Sequence, residues 1–324
     1  MARLVALDLG SNSFHLLDAV FLENSHDVRL ATKASDLVYG CRLKEKVQIG
    51  AGLDADNNLS QVAINRGLDC IKTFHRFIKE QEIDHLIAVA TNTLRIANNS
   101  QDFIRTAEDI LGSPIKVISG QEEARLIFSA VIEEIAELEP GLVIDIGGGS
   151  TEFAIGNQSQ QQLTESLEMG CVSYNQRFFA DGKIYVENVK AAEKAARLEI
   201  EPYLEQLKSL PLNWIVGTSG TLQSIAMLAN RLFNEPENTL SIQSLDALEA
   251  MVVKAGHLEA LDFEDLDSNR RSILPAGLAI VRAIFDSLKI TDIRICQFAI
   301  CEGLLMQLKD QIIRQQPSTS CKIV

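Results

Sequence analysis

The sequence predicts an α/β protein of two related half-domains, each built on its own sheet. First, an apolar run that ends in Asp and leads into a Gly/Ser-rich turn occurs twice. One copy is Val5-Ala6-Leu7-Asp8-Leu9-Gly10-Ser11-Asn12-Ser13, the other Val143-Ile144-Asp145-Ile146-Gly147-Gly148-Gly149-Ser150. Each turn runs on into a second apolar stretch, so each copy reads as strand, tight turn and returning strand. Second, strands alternate with helical periodicity in both halves of the chain. Third, 324 residues is long for one core and suits two.

In chain order, the first hairpin is expected over 4–9 and 14–21, with further strands at 28–31 and 47–49. Val62, Ile64, Leu68, Ile71, Phe74 and Ile78 recur at helical spacing and predict a helix over 61–81. The near-continuous apolar run 83–90 reads as a buried central strand. A helix over 102–111, the turn Gly112-Ser113-Pro114 and a strand over 115–118 follow. The second half repeats the plan. A helix over 121–135 precedes a strand at 142–146 and its return at 153–155. A helix over 187–207 is interrupted by Pro202, and a strand at 214–216 enters Gly217-Thr218-Ser219-Gly220-Thr221 and a helix to 229. Helices over 245–255 and 275–288, a strand at 293–295 and a closing helix over 302–313 complete the chain.

Composition narrows the function. The net charge of −14 speaks against a nucleic-acid stripe. No apolar run reaches the roughly 18 residues of a membrane span, and the first residues enter a strand pattern directly. A cytoplasmic protein with no membrane partner is therefore expected. The six cysteines form no CxxC pair, and the five histidines show no metal-ligand spacing. A polyanionic ligand beside several carboxylates needs a divalent cation between them, because like charges about 4 Å apart repel by roughly 4 kcal/mol near a protein surface.

The candidate site residues follow from the turns. Glycine admits a phosphate close to the backbone, and Ser11, Asn12, Ser13 and Ser150 add side-chain donors beside Gly147, Gly148 and Gly149. Asp8 and Asp145 occupy corresponding places and suit Mg²⁺ or another divalent cation. Glu152, on the returning strand, either joins that metal shell or is an exposed strand residue. Ser119 and Glu122 have capping-box spacing, which leaves Glu123 about 100° round the helix. Glu123 is then a general base for water or a surface glutamate at a helix start. Arg95 is a phosphate clamp or an ordinary helix arginine. Lys44 and Lys46 either extend a positive rim or are solvated, and the loop 217–221 offers donors to a second phosphate or a nucleotide.

These pieces, in this order, resemble the exopolyphosphatase / guanosine pentaphosphate phosphatase (Ppx/GppA) family, of the actin, sugar-kinase and Hsp70 fold superfamily. The matching stretches are ALDLGSNSFHLL (6–17), ATNTLRIANN (90–99), ISGQEEARLIF (118–128), VIDIGGGSTEF (143–153), MGCVSYNQRF (169–178), GTSGT (217–221) and ILPAGLAI (273–280). The resemblance implies two actin-like (ribonuclease H-like) domains with a substrate cleft between them. The first would span 1–122, joined by the closing helix 302–314, and the second 123–301. It implies attack of water on a terminal phosphoanhydride of polyphosphate or pppGpp, with Glu123 as base and Asp145 and Glu152 handling metal and water. Asn12, Ser13, Arg95, Gly148, Gly149, Ser150 and Cys171 would grip the phosphates.

Two features depart from the family pattern. The C-terminal helical domains of longer members do not follow, so short substrates are expected to be preferred. Phe298-Ala299-Ile300-Cys301-Glu302-Gly303 stands where the family often reads GxLREG. An ATP-dependent kinase or ATPase of the same superfamily, and a slow nucleotide-binding sensor or scaffold, are the rival readings. A homodimer is compatible with all of them.

Overall fold

The computed structural model describes residues 1–22, 36–210 and 212–315. The first half holds strands β1 (Ala2–Leu9), β2 (Phe14–Phe21), β3 (Leu37–Glu45), β4 (His85–Ala90) and β5 (Ile115–Val117). Its helices are α1 (Gln61–Glu80), α2 (Asn92–Ile96), α3 (Ser100–Leu111) and α4 (Gly120–Ile135). The second half holds strands β6 (Gly141–Ile146), β7 (Thr151–Gly156), β8 (Gln161–Leu167), β9 (Ile215–Thr218), β10 (Thr239–Ser241) and β11 (Asp292–Ile295). Helices α5 (Cys171–Phe178), α6 (Val186–Ile200), α7 (Leu204–Ser209), α8 (Ser219–Phe233), α9 (Ile242–Ala255), α10 (Ser268–Leu288) and α11 (Ile300–Gln315) surround them.

The two sheets share one plan. Strand order is β3-β2-β1-β4-β5 in the first and β10-β11-β9-β6-β7-β8 in the second. In each, an antiparallel hairpin carries a third antiparallel strand on one side (β3 or β8) and a parallel strand on the other (β4 or β9). The doubling seen in the sequence is thus a doubling of topology, and the chain has the two-sheet α/β architecture of the actin-like fold. Among the described residues no helix is long and apolar enough to cross a membrane.

Strand alternation decides what faces the space between the halves. Successive strand side chains point to opposite faces. In β1, Val5, Leu7 and Leu9 join a core with α1 and α3, whereas Leu4 and Ala6 join a central core shared with α4 and α11. Asp8 has the parity of Leu4 and Ala6. In β6, Leu142, Ile144 and Ile146 enter the outer core of the second half, and Val143 the central one, so Asp145 also faces inward. The same parity turns His15 inward with Leu17, and Glu152 inward with Ala154. The central core is closed by Leu126, Phe128 and Val131 of α4 and by Leu304, Leu305 and Leu308 of α11. Each such side chain contributes about 1.5–3 kcal/mol on burial. The expected junction at 122/123 falls in the first turn of α4.

Several expectations need correction. The strand expected at 28–31 lies outside the described residues. Residues 47–49 form no strand, because Gln48 takes a left-handed backbone (φ 49°). Val47 and Ile49 are nevertheless buried, and the Gln48 and Gly50 amides donate to Asn12 O (2.8 Å) and Ser11 O (2.9 Å). This segment is therefore a buttress for the first turn. Helix α10 begins at Ser268, not at the expected 275, and carries Pro275 inside it. Asp267 caps it by accepting from the Asn269 and Arg270 amides, both at 3.0 Å. Pro202 does end α6, through one 3₁₀ turn.

Glycines mark where the halves meet. A Cβ at Gly148 would lie 3.0 Å from Ser11 Cβ and 3.1 Å from Asn12 N, so the two turn tips abut. A Cβ at Gly149 would overlap the Asn92 amide, and one at Gly170 would overlap the backbone of Gly148 and Gly149. Gly170→Ala is expected to destabilise the protein by about 1–3 kcal/mol through overpacking. Gly149→Ala should cost less, because an amide side chain can turn away and a backbone cannot. Denaturation midpoints of the two variants check this, and the opposite ranking would show that the tips are not held in contact.

Candidate functional site

Between the two sheets lies a cavity of about 250 Å³. Asp8 and Asp145, each at the penultimate position of its strand, line it together with Ser11, Asn12, Ser13 and the Gly147–Ser150 turn. Glu123, Cys171 and the segment Ser219-Gly220-Thr221 complete that side. The Gly148, Gly149 and Ser150 amides make no backbone hydrogen bond. The Gly147 and Gly148 carbonyls, by contrast, accept from Cys171 N (3.0 Å) and Val172 N (2.8 Å) at the start of α5. The turn therefore presents donors to the cavity while α5 holds its acceptors away. Ser219 has a left-handed backbone (φ 86°), a strained conformation for a side chain-bearing residue, where β9 turns into α8.

Glu123 is no surface residue. Ser119 Oγ accepts from the Glu122 amide (3.1 Å), and the Glu122 carboxylate pairs with Lys116, so the capping box closes on one side only. Glu123 turns inward with a largely buried side chain, and its Oε2 accepts no hydrogen bond. Arg95 Nη1 lies 3.6 Å from that oxygen and donates to Ile118 O at 3.0 Å. Arg95 thus stands behind Glu123 and does not line the cavity. Glu152 is 2% exposed and also lies just behind the wall. It faces Asp145 across the β6–β7 ladder and accepts from Ser166 Oγ at 2.8 Å.

Burial dominates the electrostatics. The Asp8 carboxyl is pushed up to about 7 by burial and then by Glu152. Glu152 is likewise pushed up to about 7 by burial, against the opposing pull of Ser150, Ser166 and Arg95. Glu123 and Asp145 stand well above the carboxylate range through burial and the neighbouring carboxylates, with Arg95 opposing at Glu123. Cys171, 1% exposed, accepts from Thr221 Oγ1 at 3.4 Å, and burial raises its thiol, which removes it as a thiolate nucleophile.

The carboxylates fit a divalent cation in one particular way. Asp8 Oδ1, Glu123 Oε2 and Glu152 Oε2 are buried acceptors without a hydrogen-bond donor. Among the described residues, however, no three ligating side chains already form a metal-holding cluster. This suits Mg²⁺ held by one or two carboxylates and completed by phosphate oxygens and water, and does not suit an all-protein cage.

The opposite wall is cationic, and sequence reasoning largely missed it. Arg42, Lys44 and Arg270 line the cavity, with Gln223, Gln297 and Cys301 beside them. Arg42 is tied to Glu302, which is 0% exposed and also accepts from the Ala299 amide at 2.9 Å. His15 lies half-buried beside Lys44, Arg42 and Arg270; desolvation and then these cations push its imidazole down to about 3, so it is neutral. The available signal was the alternation Arg42-Leu43-Lys44-Glu45-Lys46, which places Arg42 and Lys44 on one face of β3 with Lys46 just past its end.

Two comparisons bear on this arrangement. The Ppx/GppA phosphatase family model matches residues 31–311. An exopolyphosphatase from Cytophaga hutchinsonii is similar in structure at 23% identity, over 95% of this chain and 98% of that one, with a TM-score of 0.84. The PPX-GPPA enzyme of Aquifex aeolicus is similar at 22% identity, over 94% and 99% of the two chains, with a TM-score of 0.74. At these identities the likeness to the solved structures establishes a shared fold.

The carboxylate cluster carries a stability signature. Asp8 and Glu152 are protonated more readily in the folded protein than in the unfolded chain. Folded protein therefore binds more protons between pH about 4 and about 7, and stability falls as pH rises through that window. Asp8→Asn is expected to flatten this fall and to raise Tm at pH 8 by roughly 2 °C or more, about 1 kcal/mol in a chain of this size. Thermal scans at pH 5 and pH 8 without divalent cation check it. A lower Tm for the variant at pH 8 would show that the carboxylates do not repel one another.

Proposed function

We propose that this chain, which belongs to the Ppx/GppA phosphatase family, releases inorganic phosphate from the terminal phosphoanhydride of polyphosphate or pppGpp with the help of a divalent cation. The observation that carries this is Glu123: a largely buried carboxylate whose Oε2 accepts no hydrogen bond, at the wall of a cavity between two abutting phosphate-type turns. A carboxylate so placed takes a proton from water, and its burial makes it a stronger acceptor once ionised.

The roles divide by position. Gly148, Gly149 and Ser150 offer amides to the terminal phosphoryl group, with Ser11, Asn12 and Ser13 facing them from the other turn. Asp8 and Asp145, which line the cavity, would hold the cation, with Glu152 behind them adding negative charge; when bound, the cation supplies neutralisation of phosphate charge. Arg95 acts through Glu123: anchored on Ile118 O, it orients the carboxylate and keeps part of its population ionised. Attack by the activated water on the terminal phosphorus breaks the anhydride bond, and the shortened chain leaves with the electron pair. Such a transfer needs little covalent chemistry, so positioning and electrostatics supply most of the rate.

Glu123→Gln keeps the size and removes the base, so kcat is expected to fall by about 10²- to 10⁴-fold with KM changed far less. Phosphate release from tripolyphosphate in Mg²⁺ measures it, and a variant working at near-wild-type rate would exclude Glu123 as base. The same assay without any acceptor separates a hydrolase from a kinase, which releases no phosphate from substrate and water alone.

A further inference from the structure

Behind the cavity wall lies a second layer of polar groups, and its centre is Glu152. This carboxylate is the neighbouring charge that Asp8, Glu123 and Asp145 each feel most strongly. It stands opposite Asp145 on one side of the ladder and opposite Ser166, in β8, on the other. Ser166 Oγ donates to Glu152 Oε1 at 2.8 Å, whereas Glu152 Oε2 is buried without a donor. One oxygen is thus anchored and the other is left to the cluster. Ser166 itself is half-buried and does not line the cavity.

The packing round Ser166 keeps this residue small and close. Gly120, the first residue of α4, lies over it, and a Cβ at Gly120 would overlap both Ser166 Cβ and Oγ. Arg95 Nη2 comes within 3.7 Å of that same point. Glu123 belongs to the same first turn of α4, so the turn that presents it is seated on the residue that holds Glu152. The equivalent rung of the first sheet carries Lys44 at this place. A cation at 166 would neutralise Glu152, whereas a hydroxyl sets the direction of the carboxylate and leaves its charge to the site. Ser150 also acts on Glu152 but belongs to the glycine turn. The Ser166 hydroxyl makes no other hydrogen bond among the described residues.

We propose that Ser166 is a positioning residue of this site: its hydroxyl fixes where the Glu152 carboxylate sits relative to Asp145 and Glu123. Without that bond Glu152 would turn about its side-chain torsions and shift its charge against the base and the phosphoryl group. A displacement of about 1 Å at such a site can cost on the order of 10²-fold in rate. This rests on the hydrolase reading above and adds a residue that acts only through Glu152.

Phosphate release from tripolyphosphate in Mg²⁺ tests it. In Ser166→Ala kcat is expected to fall about tenfold, the scale of one hydrogen bond to a charged group, with KM changed less than twofold. Ser166→Thr keeps the hydroxyl and should recover most of the rate. In a Glu152→Ala background the Ser166→Ala change should cost less than twofold, because no carboxylate is left to hold. A tenfold loss in that background, a loss carried by KM alone, or a Ser166→Ala enzyme at wild-type rate overturns the assignment. So does a Ser166→Thr enzyme with wild-type Tm and no recovered rate. Crystal structures of wild type and Ser166→Ala test the role apart from turnover and from any failure of Ser166→Thr to fold. A Glu152 carboxylate that is displaced or takes more than one rotamer in Ser166→Ala supports it. One that keeps its wild-type place overturns it and leaves the hydrolase reading intact. Should wild type release no phosphate, the hydrolase reading fails, and the two crystal structures still decide whether Ser166 holds Glu152.

Discussion

The approach of two glycine-bearing turns is the constraint on which the rest of this structure depends. Gly148 rests on Ser11 and Asn12, and Gly170 rests on Gly148 in turn, so the second half cannot move toward the first by even one methyl group. None of Gly147, Gly148 and Gly149 has a left-handed backbone, so these glycines are there for proximity and not for an unusual conformation. That contact fixes the distance between the ends of β1 and β6. It thereby forces Asp8, Asp145 and Glu152 into one desolvated volume, with Glu123 arriving from α4.

Duplication has produced two equivalent rungs with opposite chemistry. In the first sheet the rung reads Lys44, His15, Asp8; in the second it reads Ser166, Glu152, Asp145. The neutral His15 occupies the place that Glu152 takes in the other half, and it separates the ammonium of Lys44 from the carboxylate of Asp8. One rung thus spans from anion-attracting to cation-attracting ground, and the other is acidic with a hydroxyl beside it. A symmetric pair of half-domains thereby encloses an asymmetric cleft.

What the sequence disclosed depended on whether the signal was local. The duplicated Asp-turn motif was legible because its residues are contiguous, and strand parity alone turns Asp8 and Asp145 to the central face. The inward burial of Glu152 follows the same parity with Ala154, yet an isolated glutamate on a strand reads as exposed until the opposite sheet is known to cover it. Arg95 is a different case: its residue type suggests a phosphate clamp, and its Nη1 donates to Ile118 O, a partner 23 residues away that no local pattern announces. Strand β3 was missed because its charges resemble a solvated run. Arg270 was missed because its place on the wall is set by packing over Gly220, a contact between distant segments.

Net charge is a poor guide to what such a cleft binds. Outside the protein, screening over about 8 Å at physiological ionic strength limits how far the charge of −14 is felt by an approaching anion. Within the cleft the local groups decide, because there a unit pair about 4 Å apart interacts by roughly 4 kcal/mol, against about 1 in water. Arg42, Lys44 and Arg270 on one wall and the unpaired amides of the Gly148–Ser150 turn on the other outweigh a distant acidic surface. The four buried carboxylates oppose them only while they are ionised and unscreened, and burial already holds a share of them protonated. A divalent cation held beside these carboxylates would lower their pKa values by direct attraction, and the floor of the cavity would then attract an anion through the cation where it otherwise repels one.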